Sequence, residues 1–104
     1  MLVTITTTTE DIQSGNFGTK TCPVATAFNR VVKPEYLATV GFRTVIIWTN
    51  PGEGEYPVER RWRGNLPDWL EKRINEYGDY KKGESPVMPE VATFQMEVPD
   101  EYLK

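Results

Sequence analysis

The chain has 104 residues, a formal net charge of −3 and a hydrophobic content of 38%, which fits a single folded domain with one core. It contains one cysteine and no histidine, so an internal disulfide and a zinc site built from these residues are excluded. The negative charge disfavours duplex DNA as a partner. Because no long apolar run or signal-peptide pattern is present, the sequence predicts a cytoplasmic protein without membrane contact.

The first third of the chain alternates like a strand and then changes to helical spacing. Residues 2–8 are rich in β-branched side chains at alternating positions, which predicts a strand. Thr8 and Asp11 have the spacing of a capping box, so a short helical turn is expected at Thr9–Ser14. Apolar residues recur at helical spacing over residues 23–32, which predicts the first long helix.

The middle of the chain contains the predicted centre of the sheet. Tyr36–Val40 and residues 42–49 form two strands separated at Gly41, or one strand with a bulge there. Residues 45–48 are apolar on both faces, as expected of a central strand. Residues 56–63 predict an edge strand, because the proline within this segment cannot donate a hydrogen bond to a neighbouring strand.

The last third predicts a second long helix and a final strand. The helix is expected to begin near residues 66–67 and to end at Gly78, and residues 91–98 alternate as a strand. Residues 99–104 are expected to form a flexible tail. The order of elements predicts an α+β domain over residues 1–104, with a four- to five-stranded mixed or antiparallel sheet and two helices on one face.

Two segments, residues 10–15 and 22–30, resemble a pattern in small uncharacterised bacterial and phage proteins. In those proteins an Ile-Thr strand leads to an Asp-Ile-x-x-Gly turn and then to a Cys-Pro-Val-Ala helix. The resemblance covers about the first third of the chain. It implies a compact α+β fold and a microbial or phage source, and it implies no particular activity.

The polar loop at residues 16–22 delivers the single cysteine to the start of the predicted long helix. Backbone N–H groups and the helix dipole attract anions there, and Lys20 adds positive charge, so the loop is a candidate phosphate or carboxylate site. The alternative is an ordinary connection between two elements. Cys22 also has two interpretations: an activated thiolate at the helix start, or a small hydrophobic residue packed under the cap.

The run Arg60-Arg61-Trp62-Arg63 is the densest positive cluster. An aromatic ring among guanidinium groups can stack on a base while the arginines hold phosphate. Regular strand alternation predicts Arg60 with Trp62 on one face and Arg61 with Arg63 on the other, so both faces cannot serve one ligand. The alternative interpretation is a charged edge strand, protected from aggregation, whose Trp62 anchors in the core.

These features predict a small non-enzymatic protein, without a cofactor or metal, that sequesters an anionic, nucleotide-like ligand, and the resemblance implies that it is encoded by a phage or a microbe. Two other hypotheses are an adaptor or inhibitor that engages a protein partner through a strand edge or aromatic patch, and a thiol-dependent enzyme using Cys22. A homodimer formed by paired strand edges is a further expectation. The candidate ligand-binding residues are Asn16, Gly18, Thr19, Lys20, Thr21, Cys22, Arg30, Arg61 and Arg63.

Overall fold

The computed structural model describes residues 1–15, 18 and 20–104 and confirms an α+β architecture. The elements in chain order are β1 (Leu2–Thr6), α1 (Thr9–Ser14), α2 (Pro23–Val31), β2 (Tyr36–Val40), β3 (Thr44–Thr49), β4 (Arg60–Asn65), α3 (Leu70–Lys82), β5 (Thr93–Glu97) and a short 3₁₀ turn at Asp100–Tyr102. No helix in the described part of the chain has the length and apolar character needed to cross a bilayer.

The strands form two antiparallel sheets, whereas the sequence predicted one. β1 pairs with β5, and β2, β3 and β4 form a three-stranded sheet in that order. Within the described residues there are three α-helices, one more than the predicted pair. The alternation of a strand does not identify its partner, and β1 pairs with the strand farthest away in sequence, with Leu2 opposite Glu97.

The helix ends follow ordinary capping chemistry. In the predicted capping box of α1, Thr8 Oγ1 accepts from Asp11 N at 3.1 Å and Asp11 Oδ2 accepts from Thr8 N at 2.9 Å. α3 begins at Leu70, which is later than predicted. It also ends later, because it continues through Gly78 and is closed by Gly83. The φ of 79° at Gly83 lies in the left-handed region that favours glycine.

α2 is buried between the other elements, and Val24 and Phe28 on its inner side are fully buried. Its Asn29 reaches the edge of β2, where Nδ2 donates to Ala38 O at 2.9 Å and Oδ1 accepts from Ala38 N at 2.8 Å. The backbone of Ala38 therefore has no free hydrogen-bonding group on that edge for another strand to use.

A buried polar contact fixes α3 against β1 and the segment before β5. The hydroxyl groups of Tyr77 and Thr7 lie 3.1 Å apart, and Tyr77 also donates to Glu90 O at 3.0 Å. Thr7 Oγ1 in turn accepts from Ala92 N at 2.8 Å. These bonds supply partners for two hydroxyls whose burial would otherwise be costly.

Residues 99–104, predicted as a flexible tail, are packed against the domain. Tyr102 and Leu103 are only 6% and 8% exposed. The Tyr102 ring meets Tyr36 edge to face at 5.0 Å, and Tyr102 O accepts from Lys33 N at 2.9 Å. Two apolar side chains near the end thus bury enough surface to hold the segment in place.

Candidate functional site

The helix-start loop is described in part. Asn16 and Thr19, two of the predicted ligand residues, lie outside the described residues. Gly18 O accepts from Thr21 N at 3.1 Å and from Cys22 N at 2.9 Å, which closes a tight turn before α2. Two of the backbone N–H groups that were predicted to bind an anion, those of Thr21 and Cys22, are therefore bonded within the loop.

Lys20 faces the loop between β3 and β4. Its Nζ donates to Glu55 O at 3.3 Å and lies 5.5 Å from the ring centre of Tyr56. Tyr56 is 85% exposed, so this cation–π contact lies at the surface, where such contacts are weak. The ammonium group is thus engaged by a carbonyl and an aromatic ring.

Cys22 caps α2 with its sulfur atom. Sγ accepts from Ala25 N at 3.4 Å, and the residue is only 8% exposed. Burial raises the pKa of the thiol, and the hydrogen bonds from the helix start offset only part of this effect. The buried interpretation is confirmed, and a neutral, buried thiol is a poor nucleophile.

A cavity of about 230 Å³ lies beside Cys22, between the start of α2, the β2–β3 turn and α3. Its lining is largely apolar and includes Phe42 and Ile74. The same lining contains Asp79 and Lys82, whose charges are opposite. The cavity therefore lacks the surplus of positive charge that favours a phosphate.

Arg30, another predicted ligand residue, joins α2 to α1. Its Nη2 donates to Asp11 Oδ1 at 2.6 Å and its Nη1 donates to Thr6 O at 3.3 Å. The Asp11 side chain is only 5% exposed, and a positively charged partner offsets the cost of burying a carboxylate. The guanidinium group of Arg30 is occupied by this contact.

A β-bulge interrupts the arginine cluster on β4. Trp62 lies opposite Ile47, but the next residue of β3, Trp48, lies opposite Arg60. Arg61 is therefore the extra residue that has no partner in the β3 register. Its side chain pairs with Glu59 at 2.6 Å, which offsets its charge.

The bulge places Arg60 and Arg63 on the same side of the sheet. Arg63 lies opposite Ile46 and Arg60 opposite Trp48, and these two residues of β3 share one face. This corrects the expectation from regular alternation, which separates the two arginines. Both are exposed, and neither forms an ion pair with any residue that the structure describes.

Trp62 lies on the other side of the sheet and packs against the core. Its ring covers Gly64: a Cβ atom at that glycine would approach Trp62 Cζ2 to 2.8 Å. The interpretation of Trp62 as a core anchor is therefore confirmed, and its ring lies on the side of the sheet opposite Arg60 and Arg63.

We call the side of the three-stranded sheet that faces away from the core the open face. It carries Leu37 and Thr39 from β2, Thr44, Ile46 and Trp48 from β3, and Arg60, Arg63 and Asn65 from β4. Leu37, Ile46 and Trp48 are half-buried and are not among the apolar side chains that pack in or against the core. Trp48 Nε1 donates to Thr39 Oγ1 at 2.9 Å, which holds the indole across β2.

Of the predicted ligand-binding residues that the structure describes, Arg63 is the one that lies on the open face. Arg60 and Trp48 were missed, because no glycine or other local signal marks the bulge at Arg61. The apolar character of both faces of residues 45–48 was an available signal. A domain with few helices leaves one face of some strand uncovered, and the apolar residues there are candidates for contact with a ligand.

Comparisons with models of protein families, with characterised proteins and with solved structures gave no match. The function of the chain is therefore inferred from its own geometry.

Proposed function

We propose that the protein is a non-enzymatic binding protein that takes an anionic, nucleotide-like ligand on the open face. The observation that carries the proposal is the placement of Arg60 and Arg63 beside Trp48, with both guanidinium groups unpaired within the described residues. Guanidinium groups bind phosphate oxygens in a two-pronged geometry, and an indole ring stacks on a base.

The surroundings support an anionic ligand. The chain carries a net charge of −3, so two unneutralised arginines on one face form a local positive patch on an acidic protein. Glu59, the acidic residue closest to this patch in sequence, is paired with Arg61. Its charge therefore competes little with a phosphate for Arg60 and Arg63.

Binding without catalysis is supported by the side chains at hand. The chain has no histidine, and its one thiol caps a helix with a raised pKa. The open face offers arginine, threonine, asparagine and tryptophan, which recognise a ligand and are poor general bases at neutral pH.

The proposal is tested by calorimetry at low salt against a panel of ribonucleotides, deoxynucleotides and short oligonucleotides. We expect Arg63→Gln and Arg60→Gln each to weaken binding by about 10- to 150-fold, the range for a charge-assisted hydrogen bond. Lys72→Gln is the charge control: it removes one positive charge from an exposed position on α3 and, unlike Arg61→Gln, frees no paired carboxylate beside the patch, so it should change the affinity by less than about threefold.

Three results contradict this assignment. If the protein bound no member of the panel, the proposal of a nucleotide-like ligand would be wrong. An equal loss in Lys72→Gln would show that only the total charge matters. If Lys20→Ala weakened binding and Arg63→Gln did not, the ligand would be assigned to the helix-start loop, as the sequence analysis predicted.

A further inference from the structure

We infer that the ligand of the open face is a single-stranded nucleic acid and not a free nucleotide; this inference rests on the proposed function. The face is the side of a three-stranded sheet, and its residues lie in three parallel rows. Pockets for small ligands enclose most of the ligand surface, which a sheet face does not do. In a polymer, several bases and phosphates each contribute to the affinity, although each of them contacts the protein on one side only.

Trp48 supplies the stacking position. Its indole N–H is already satisfied by Thr39 at 2.9 Å, so the ring is held in place before a ligand arrives. Leu37 and Ile46 lie beside it on the same face and extend the apolar surface along and across the strands. Stacking of this kind tolerates any base, because every base has a π-face.

The positive row runs beside the apolar row. Arg60 lies opposite Trp48 and Arg63 opposite Ile46, two residues apart on β3, which corresponds to about 7 Å along the strand. Asn65 follows opposite Thr44 and adds amide donors to the same row. This arrangement fits a strand whose phosphates follow β4 while its bases lie over β3 and β2.

The same geometry disfavours duplex DNA or RNA. In a duplex the base faces are stacked inside, so Trp48 has nothing to stack on. Binding of a duplex would then depend on Arg60 and Arg63 alone, while the net charge of −3 on the protein repels the phosphates. Single-stranded and duplex ligands are therefore expected to differ strongly in affinity.

The experiment is fluorescence anisotropy with labelled oligo(dT) and oligo(U) of about ten nucleotides, a length within the usual site size. A duplex of the same length, thymidine monophosphate, thymidine triphosphate and a polyglutamate peptide are the competitors. We expect either single strand to bind at least about tenfold more tightly than the mononucleotides. With two phosphate contacts, log K should fall with log salt with a slope of about −1.4 between about 50 and 200 mM, and Arg63→Gln should reduce the magnitude of that slope by about 0.7.

Trp48→Leu should weaken single-strand binding by about 5- to 150-fold, the range for loss of one stacked base. Trp69→Leu is the matched control, because Trp69 is 50% exposed and packs on Phe94, away from the open face. Circular dichroism establishes whether the Trp48 variant is folded. Arg63→Gln changes an exposed side chain, so it tests the inference even if that variant unfolds.

The outcomes separate this inference from the proposed function. Mononucleotides that bind as tightly as the oligonucleotides, with loss in Arg63→Gln, would overturn the polymer and leave the proposed function standing. Displacement of labelled oligonucleotide by duplex or by polyglutamate at equal concentration would also overturn it. Absence of binding to every nucleotide and oligonucleotide would remove both.

Discussion

The side chain of Asn29 meets Ala38 as a neighbouring strand would. It donates to Ala38 O and accepts from Ala38 N, and it also donates to Ala25 O at 3.0 Å within its own helix. One residue of α2 thus closes the middle of the β2 edge. Dimerisation through a strand edge stays a prediction, and the edges to test are those of β4 and β5.

We expect Asn29→Ala to lower the free energy of unfolding by about 1–3 kcal/mol, because the fully buried Ala38 would lose partners for both backbone groups. Urea denaturation measures the loss, and light scattering measures any new association through β2. Asn65→Ala, at an exposed position, is the control. Equal stability of the two variants would show that water replaces the Asn29 amide without cost.

Gly64→Ala should lower the free energy of unfolding by about 1–3 kcal/mol, because the added methyl group collides with the ring of Trp62. Trp62→Leu/Gly64→Ala should recover part of that loss, so a double-mutant cycle should give a clear coupling energy. Gly41→Ala is the control, since its new Cβ would meet its nearest neighbour at 3.6 Å, an ordinary contact distance. Additive losses at residues 62 and 64 would contradict the contact.

Arg30→Gln should reduce stability by about 1–3 kcal/mol, because the nearly buried carboxylate of Asp11 loses its charged partner. It should leave ligand affinity unchanged. Asp11→Asn/Arg30→Gln should be less destabilised than the sum of the single variants predicts, since no charge is left unpaired. If Arg30→Gln had unchanged stability and weaker ligand binding, Arg30 would belong to the ligand site after all.

Cys22 should react slowly with a thiol reagent in the folded protein and quickly in urea, because it is buried at the start of α2. The pKa of its thiol is raised in the folded state. Its contribution to stability is therefore complete below the unfolded pKa and is lost as pH rises through the higher folded pKa. Urea midpoints at neutral and alkaline pH should diverge more for the parent protein than for Cys22→Ser, and fast native labelling would contradict this account.

The sequence predicted local structure well and spatial relationships poorly. Alternation identified β1 and β5, and the spacing of Thr8 and Asp11 identified the α1 cap, because both signals are local. The strand predicted at residues 56–63 lies instead at Arg60–Asn65. The pairing of β1 with β5 depends on contacts between distant segments, which no local pattern contains. The open face was missed for the same reason: Trp48 and Arg60 are twelve positions apart in the chain and meet only through the β3–β4 register.

Because Arg61 is an extra residue in the bulge, β4 can lose this residue without changing which side chains lie on the open face. Removal of residue 61 from the chain would leave Arg60 opposite Trp48 and restore strict alternation to Arg63. A single-residue deletion usually reverses the face of every following side chain in a strand, but here it preserves the paired positions. Natural variants of this surface are therefore expected to gain or lose a residue at this point more readily than they exchange either arginine of the open face.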